Sequence, residues 1–548
     1  MLRMLRAPGA AFAVAFGVLY LGTAAWFHLV RELWVGDAIS RTANAMYVVF
    51  SRDPHLAAIG FVWLPGPSIV QLPLILIADV FERPLFAGNV LTVVCAAATL
   101  LVLEAFLREV GVTRWWRIAL LVAYAVNPMT IYYAVNGMSE APFVMLALIV
   151  IWQFAVYART RRTGALFFAS LALSGAIWTR YESLALVGAM AIALTLYEVA
   201  YDDEHEPVQR AEAVLLTALA APVLSFALWL FFNWLIQNDP LFFLNSTYGP
   251  TAQLKLSLNS GGAEISRASH SLFWATVFGA ERLFLLSPAF IPLTAVLSGF
   301  AVWKRDYRLI GILGLGGCLP VFSIYQLGTG GSFGWLRFFI YAQPLTLVFG
   351  TALVGSFRRS VRQRVYAGLL AAMLVAIPTT IYGLSQGTIG LEEYPVLRKM
   401  IDPAYRDAES ERRIAAQQIA GFIDALPPDQ LVYVETFVSY RVAVLVRHRA
   451  RLVITNDQNS GEVLDDPIDR LDYILVPHPG GASDLGELAQ RFPGIYEFGE
   501  PWLSLVREWT TVDGGGWRLY RVIKGPAGAG AIVPPPQAPP QSTPQGAP

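Results

Sequence analysis

Asp37 stands in the stretch Trp34-Val35-Gly36-Asp37-Ala38-Ile39-Ser40-Arg41, about seven residues after a first apolar run. A carboxylate at a membrane surface can be reached by a lipid headgroup from one side and a soluble molecule from the other. It suits general-base work, taking a proton from an attacking hydroxyl. Arg41, four residues on, is expected to pair with it or to bind an anion. The short stretch Asn136-Gly137-Met138-Ser139-Glu140-Ala141-Pro142 cannot carry Glu140 far from the bilayer, so Glu140 is expected in the same cavity. Arg337, in Trp335-Leu336-Arg337-Phe338-Phe339, opens an apolar run and suits bidentate phosphate binding. Each residue has a plainer reading: a solvated loop acid for Asp37, a helix-capping acid for Glu140, a snorkelling interface arginine for Arg337. The glycines before Arg337, in Gly328-Thr329-Gly330-Gly331-Ser332, match neither a dinucleotide nor a Walker pattern. Asn238-Asp239-Pro240-Leu241 reads as a turn. The loop after it, about 241–281, holds Tyr248, Lys255, Arg267 and His270 and is long for a connection. His270 reads as a surface side chain before a catalytic one. No DxD, HExxH, GxSxG or SxxK pattern points to a hydrolase or protease.

The elements that must position these residues are membrane helices. Of 548 residues, 55% are hydrophobic and 15% charged, with a mean hydropathy of +0.50. That excludes a disordered chain, a disulfide scaffold and a nucleic-acid binder driven by bulk charge. Eleven runs have the length and character of spans: 10–30, 85–107, 117–135, 141–158, 165–180, 183–199, 213–236, 282–303, 309–327, 338–356 and 365–386. The fifth and sixth meet at Trp178-Thr179-Arg180-Tyr181-Glu182 and are expected to form a kinked pair. Residues 60–81 are apolar but broken by Pro65, Gly66, Pro67 and Pro73, and Trp63 suits an interface, so they read as interfacial helices.

The formal net charge of zero is a sum of two unlike parts. Residues 1–388 hold 25 basic and 19 acidic groups, residues 389–548 hold 15 and 21, giving +6 and −6. Within the first part, alternate loops collect arginine, for example Arg159/Arg161/Arg162 and Arg358/Arg359/Arg362/Arg364. The positive-inside rule puts those loops and the N-terminus in the cytoplasm, and residues 389–548 outside it. A cleaved signal peptide over residues 1–27 would leave the orientation of the other spans unchanged. Cys95 and Cys318 lie in apolar runs and read as small core residues.

Residues 389–525 read as a compact α/β domain. A helix is expected over 412–426, with strands at 431–434, 451–454, 473–476 and 517–522 in a mostly parallel sheet. Asp465, Asp466, Asp469 and Asp472 do not have EF-hand spacing and read as a solvated loop. Residues 526–548, with eight Pro and no charged side chain, read as an extended disordered tail.

The order of features resembles the GT-C membrane glycosyltransferases that use polyprenyl-phosphate sugars, such as protein O-mannosyltransferases and lipid A aminoarabinose transferases. The features are an acid after the first span, a Pro-rich interfacial stretch ending in Phe81-Glu82-Arg83-Pro84-Leu85-Phe86, and an external Ser-Glu-x-Pro after span three. Thr179-Arg180-Tyr181-Glu182, Asn-Asp-Pro-Leu after span seven, and Arg337 before a span containing Pro344 complete the order. The resemblance covers about residues 1–386. It implies a GT-C-like transmembrane domain over 1–388 with a catalytic first external loop at 31–84. The chain would be an integral membrane protein with its 389–525 domain outside the cytoplasm. Asp37 matches the family's general base, Glu140 its second-loop acid, and Arg337 its donor-phosphate residue. Where the family has a double proline, this chain has Pro-Gly-Pro at 65–67. Arg41 and Lys255 are candidates to stabilise charge on the phosphate, and Trp63, Arg180, Glu182, Tyr248 and His270 to line the cavity or meet the acceptor. The implied partners are a polyprenyl-phosphate-linked sugar, a hydroxyl acceptor and membrane lipids, with no nucleic acid. No cofactor is required, and a divalent metal is possible but not indicated. A transporter or flippase, or an envelope-polysaccharide assembly scaffold, are the rival classes.

Overall fold

The computed structural model describes residues 8–201, 207–249, 252–254, 263–352, 354, 357–512 and 514–524. Lys255 and the 526–548 tail lie outside them. The chain forms two compact units. The described residues of one fall within 1–49 and 55–409, those of the other within 50–54 and 410–548.

The first unit is helical. Among the described residues, seven helices are long and apolar enough to cross a bilayer: Gly9–Val30, Pro84–Glu109, Glu140–Thr160, Ser183–Tyr201, Val208–Gln237, Tyr307–Gly328 and Arg359–Ser385. Two bent pairs, Arg114–Ala125 with Pro128–Val135 and Leu272–Leu286 with Phe290–Lys304, raise the number to nine. The chain is therefore an integral membrane protein. Two of the eleven expected spans fall short. The run at 165–180 folds as Thr163–Ile177, only 15 residues long. That is roughly 22 Å at 1.5 Å per residue, against a core of about 30 Å. The run at 338–356 contains Ala342–Ala352, 11 residues that are all buried. Apolar composition cannot separate the enclosed helix Ala342–Ala352 from one immersed in lipid, whereas Thr163–Ile177 leaves Phe167, Phe168 and Leu171 exposed and falls short by length alone. Gly66–Asp79, with Pro73 inside it, is a 14-residue apolar helix and also too short to span.

The breaks follow from local chemistry. Pro128 lacks an N–H and disfavours helix at the residue before it. Asn127 is extended there, and its side chain accepts from the Met129 N–H, so the pair bends by 68°. The second pair turns by 105° at Ser287, also extended, whose hydroxyl meets Thr346 Oγ1 at 2.8 Å. Helix Glu140–Thr160 begins on an acid, which the helix dipole favours, and stops where Arg161 takes a left-handed conformation.

The second unit holds a five-stranded sheet of order β2-β1-β3-β5-β4. Its strands are β1 Val432–Val434, β2 Leu452–Ile454, β3 Tyr473–Pro477, β4 Leu503–Thr510 and β5 Gly516–Val522. The pairs β1–β2 and β1–β3 are parallel, while β3–β5 and β5–β4 are antiparallel. The sheet is thus mixed, and β4 was not expected. With only Trp509 of its residues buried and a bulge between Leu505 and Arg507, β4 is an edge strand without the apolar alternation that reveals a strand in sequence. The helix expected at 412–426 runs Ala408–Asp424. Phe50–Pro54 belongs to this unit: Arg52 pairs with Asp457 at 3.1 Å and donates to Asn459 Oδ1 at 2.6 Å, and Asp53 accepts from the Gln458 N–H at 2.9 Å.

Candidate active site

Four pieces of the first unit meet around Arg337. Asp37 sits in the first turn of helix Gly36–Phe50, where the dipole favours an acid. Glu140 opens helix Glu140–Thr160. The connection before it is set by Asn136, whose side chain accepts from the Met138 N–H, and by Gly137, whose N–H donates to Thr92 Oγ1. Gly137 has φ +83°, and a side chain there would crowd Ala38, the neighbour of Asp37, at 3.2 Å. Glycine at this point accepts the left-handed backbone and leaves room for helix Gly36–Phe50 beside the connection. Arg337 lies in a short 3-10 turn, Leu336–Phe339, leading to the fully buried helix Ala342–Ala352. The turn is held from behind by Ser323, which donates to the Phe338 carbonyl at 3.0 Å, and by Arg282, which donates to the Gly334 carbonyl at 3.1 Å. Arg180 and Glu182 occupy the corner between helices Thr163–Ile177 and Ser183–Tyr201. The stretch around residues 62–66 clamps that corner through Gly66 N–H to the Trp178 carbonyl, 2.7 Å, and Tyr181 Oη to the Val62 carbonyl, 3.3 Å.

Arg337 is 4% exposed and shared among three carboxylates. Its Nη2 donates to Asp37 Oδ2 at 2.8 Å, its Nη1 lies 2.8 Å from Glu392 Oε2, and its Nε is 3.6 Å from Glu140 Oε1. Only the Asp37 contact has hydrogen-bond geometry. Nε and Glu392 Oε2 are both buried without a hydrogen-bond partner. The guanidinium also stacks over Trp335, 4.3 Å from the ring centre. Arg180 takes the other side of Glu140 at 2.5 Å and grips Glu182 through Nε at 2.9 Å and Nη2 at 2.6 Å. Arg41 lies over the Trp63 ring at 4.9 Å, and its Nε and Nη1 are buried with no hydrogen-bond partner among the described residues. Burial pulls the Arg41 guanidinium down to about 10, against the upward pull of Asp37 and Glu140. Burial alone would raise the Asp37 carboxyl, but Arg337, Arg41 and Arg180 outweigh it and hold the group below the ordinary carboxylate range.

The structure therefore brings together Asp37, Glu140, Arg337, Arg180, Glu182, Arg41 and Trp63. It adds Glu392, and behind it Glu393, which accepts from Tyr133 Oη at 2.6 Å. The sequence reading missed both acids, although Leu391-Glu392-Glu393-Tyr394 follows the last span directly. They lay in a segment assigned to the other domain by charge, whereas helix Glu393–Ile401 packs with the first unit. Tyr248 is set by the turn after helix Phe242–Asn245, its N–H donating to Ser246 Oγ at 3.1 Å. His270 is exposed beside Gly330. Among the described residues no group of three or more His, Cys, Asp and Glu side chains has the geometry to hold a metal ion.

A partly exposed carboxylate beside partly unsatisfied guanidiniums can do two things at once. The acid can take a proton, and the arginines can hold an anion. No protein-family model and no curated protein matches the chain. It is similar to the crystal structure of ArnT from Cupriavidus metallidurans bound to undecaprenyl phosphate, at 13% identity and TM-score 0.49, over 93% of this chain and 99% of that one. It is also similar to the apo oligosaccharyltransferase of Archaeoglobus fulgidus, at 10% identity and TM-score 0.45, over 92% of this chain and 74% of that one. At these values the likeness assigns neither a family nor an activity.

Proposed function

We propose that this protein is an inverting GT-C membrane glycosyltransferase. It moves a monosaccharide from a polyprenyl-phosphate donor to a hydroxyl acceptor at the outer face of the membrane. The observation that carries this reading is the Asp37–Arg337 pair: a carboxylate whose side chain is 32% exposed, bonded to a buried guanidinium whose Nε has no hydrogen-bond partner. The order of sequence features around it supports the same class.

The acceptor oxygen attacks the anomeric carbon as its proton passes to Asp37. The bond from that carbon to the phosphate oxygen breaks, and the polyprenyl phosphate leaves with the electron pair. A single in-line displacement inverts the anomeric centre. The lipid phosphate is already a leaving group, so the step draws on no nucleotide. Arg337, with Arg41, balances the charge growing on that phosphate. Asp37 tied to Arg337 is ionised but a weak base. A phosphate on the Nη1 edge of Arg337 adds negative charge beside Asp37 and raises its proton affinity when the acceptor needs it. Glu140, fixed by Arg180, orients Arg337 from behind.

The test is transfer of labelled sugar from a polyprenyl-phosphate donor to membrane acceptors, comparing wild type with Asp37→Asn. Equal turnover by both removes Asp37 from the chemistry. Tight donor binding with no transfer to any acceptor moves the protein to the transporter class.

A further inference from the structure

The charge count around Arg337 does not suit an anionic substrate as it stands. Arg41, Arg180 and Arg337 face Asp37, Glu140, Glu182 and Glu392, three cations against four acids, with Glu393 behind. Adding a phosphate to a site already short of positive charge costs affinity, unless one carboxylate leaves or takes a proton. The four acids are not equally placed to do so. Glu140 is 1% exposed and gripped by Arg180, Glu182 accepts two hydrogen bonds from Arg180, and Asp37 is hydrogen-bonded to Arg337. Glu392 meets Arg337 at 2.8 Å without hydrogen-bond geometry, and its side chain is 24% exposed. It also sits at the end of the turns that join the last span to helix Glu393–Ile401, not within a helix. It is the acid with least to lose by moving.

We propose that Glu392 is an internal counter-anion. In the empty enzyme it holds the Nη1 edge of Arg337, the position that the donor phosphate takes, and it withdraws when the donor binds. This rests on the function proposed above and adds to it a gate on the donor subsite. Burial pushes the Glu392 carboxyl well up; Arg337 opposes this, while Asp37, Glu393 and Glu140 add to it. The groups that face it are Arg337 from the Leu336–Phe339 turn, Asp37 from helix Gly36–Phe50, Glu140 from helix Glu140–Thr160, Tyr132 from helix Pro128–Val135, and its neighbour Glu393. When phosphate displaces Arg337 from Glu392, the carboxylate loses the group that lowers its proton affinity and gains a further negative charge nearby. It therefore takes a proton from solvent. Donor binding strengthens as pH falls, because protonation removes the competitor.

The experiment uses the full-length protein in nanodiscs and farnesyl methyl phosphate, a phosphodiester whose single charge does not titrate in the neutral range. Calorimetry in buffers of different ionisation enthalpy gives both affinity and proton uptake. Wild type is expected to bind more tightly as pH falls and to take up protons on binding, at most one per probe. Glu392→Gln should bind about tenfold more tightly at neutral pH, as expected if nine-tenths of the wild-type sites are occupied by Glu392. It should show neither the pH slope nor the proton uptake, while Glu393→Gln keeps both. Glu392→Asp, whose shorter arm draws the carboxylate back from Arg337, should fall between. Wild-type binding without proton uptake, or equal or weaker binding by a folded Glu392→Gln, overturns the counter-anion and leaves the transferase reading standing. No binding by wild type at any pH overturns both.

Discussion

Helices Glu140–Thr160 and Ser183–Tyr201 each have a cluster of buried charge at both ends. Glu140 and Arg161 flank the first helix, and Glu182 precedes the second while Glu198 lies in its last turns. Glu182 and Glu198 are sixteen positions apart in the sequence, roughly 24 Å along a helix. At the Glu198 end, two arginines and a phenol converge on one carboxylate. Tyr157 Oη donates at 2.8 Å, Arg161 pairs with Oε1, and Arg210 Nε lies 3.2 Å from Oε2. That carboxylate is wholly buried, and both oxygens face a cation. At the Glu140 end the ratio is reversed. Three arginines meet four acids there, Arg337 alone is shared among three of them, two partly exposed, and guanidinium nitrogens remain without aligned partners. The first arrangement is a staple between helices. The second is an unfinished one, and only an unfinished ion cluster has room for a charged ligand.

The comparison breaks most visibly at Asp37. Asp37→Asn should lower turnover by about 10²–10⁴ and leave the melting temperature near that of wild type, since the side chain is partly exposed. A variant that unfolds and does not lose turnover would make Asp37 part of a staple as well. Arg337→Lys keeps the charge but loses the planar fork. We expect kcat/KM for the donor to fall by roughly 10²-fold, chiefly through KM, in steady-state assays with varied donor. The opposite end should respond in the opposite currency. Glu198→Gln leaves two arginines facing a neutral amide and should cost about 3 kcal/mol of stability in thermal unfolding, with kcat/KM unchanged below the transition. Turnover lost at constant stability would refute the staple.

The smallest effect concerns pH. Asp37 acts as a base only when ionised, and its carboxyl is held below the ordinary value of about 3.9. The acid limb of kcat/KM in wild type should therefore lie below that value, with activity lost as pH falls through the folded-state pKa. Arg41→Gln removes one of the cations that depress it. The limb should move to higher pH by less than about one unit, with donor affinity down a few-fold. A limb that stays in place or moves to lower pH would detach Arg41 from Asp37.

Some of this was legible in residue order alone. Asp37, Glu140 and Arg337 stood out because each lies just beyond an apolar run, where a charge needs a reason. The structure joins all three, although Asp37 and Arg337 are 300 positions apart. Arg180 and Glu182 stood out only as a corner, and their role as the clamp on Glu140 was not legible. Glu392 was missed because it carries no motif and its surroundings are charged. Its importance comes from the guanidinium it touches. The helix at 342–352 resembles a span because hydropathy reports composition and not what surrounds a helix, and the helix at 163–177 because an apolar run does not fix where its helix stops.

The sequence by itself determined that this is a helical membrane protein with a charged α/β segment after its last span. Apolar runs and arginine-bearing loops are local properties, and local properties can be read in order. Only the tertiary structure decided which acids share which arginine. Coulomb energy depends on distance and burial, and both are set by helices packing together from parts of the chain hundreds of residues apart. It was that sharing, and not the presence of acids and arginines, that separated a ligand-ready cluster from a staple.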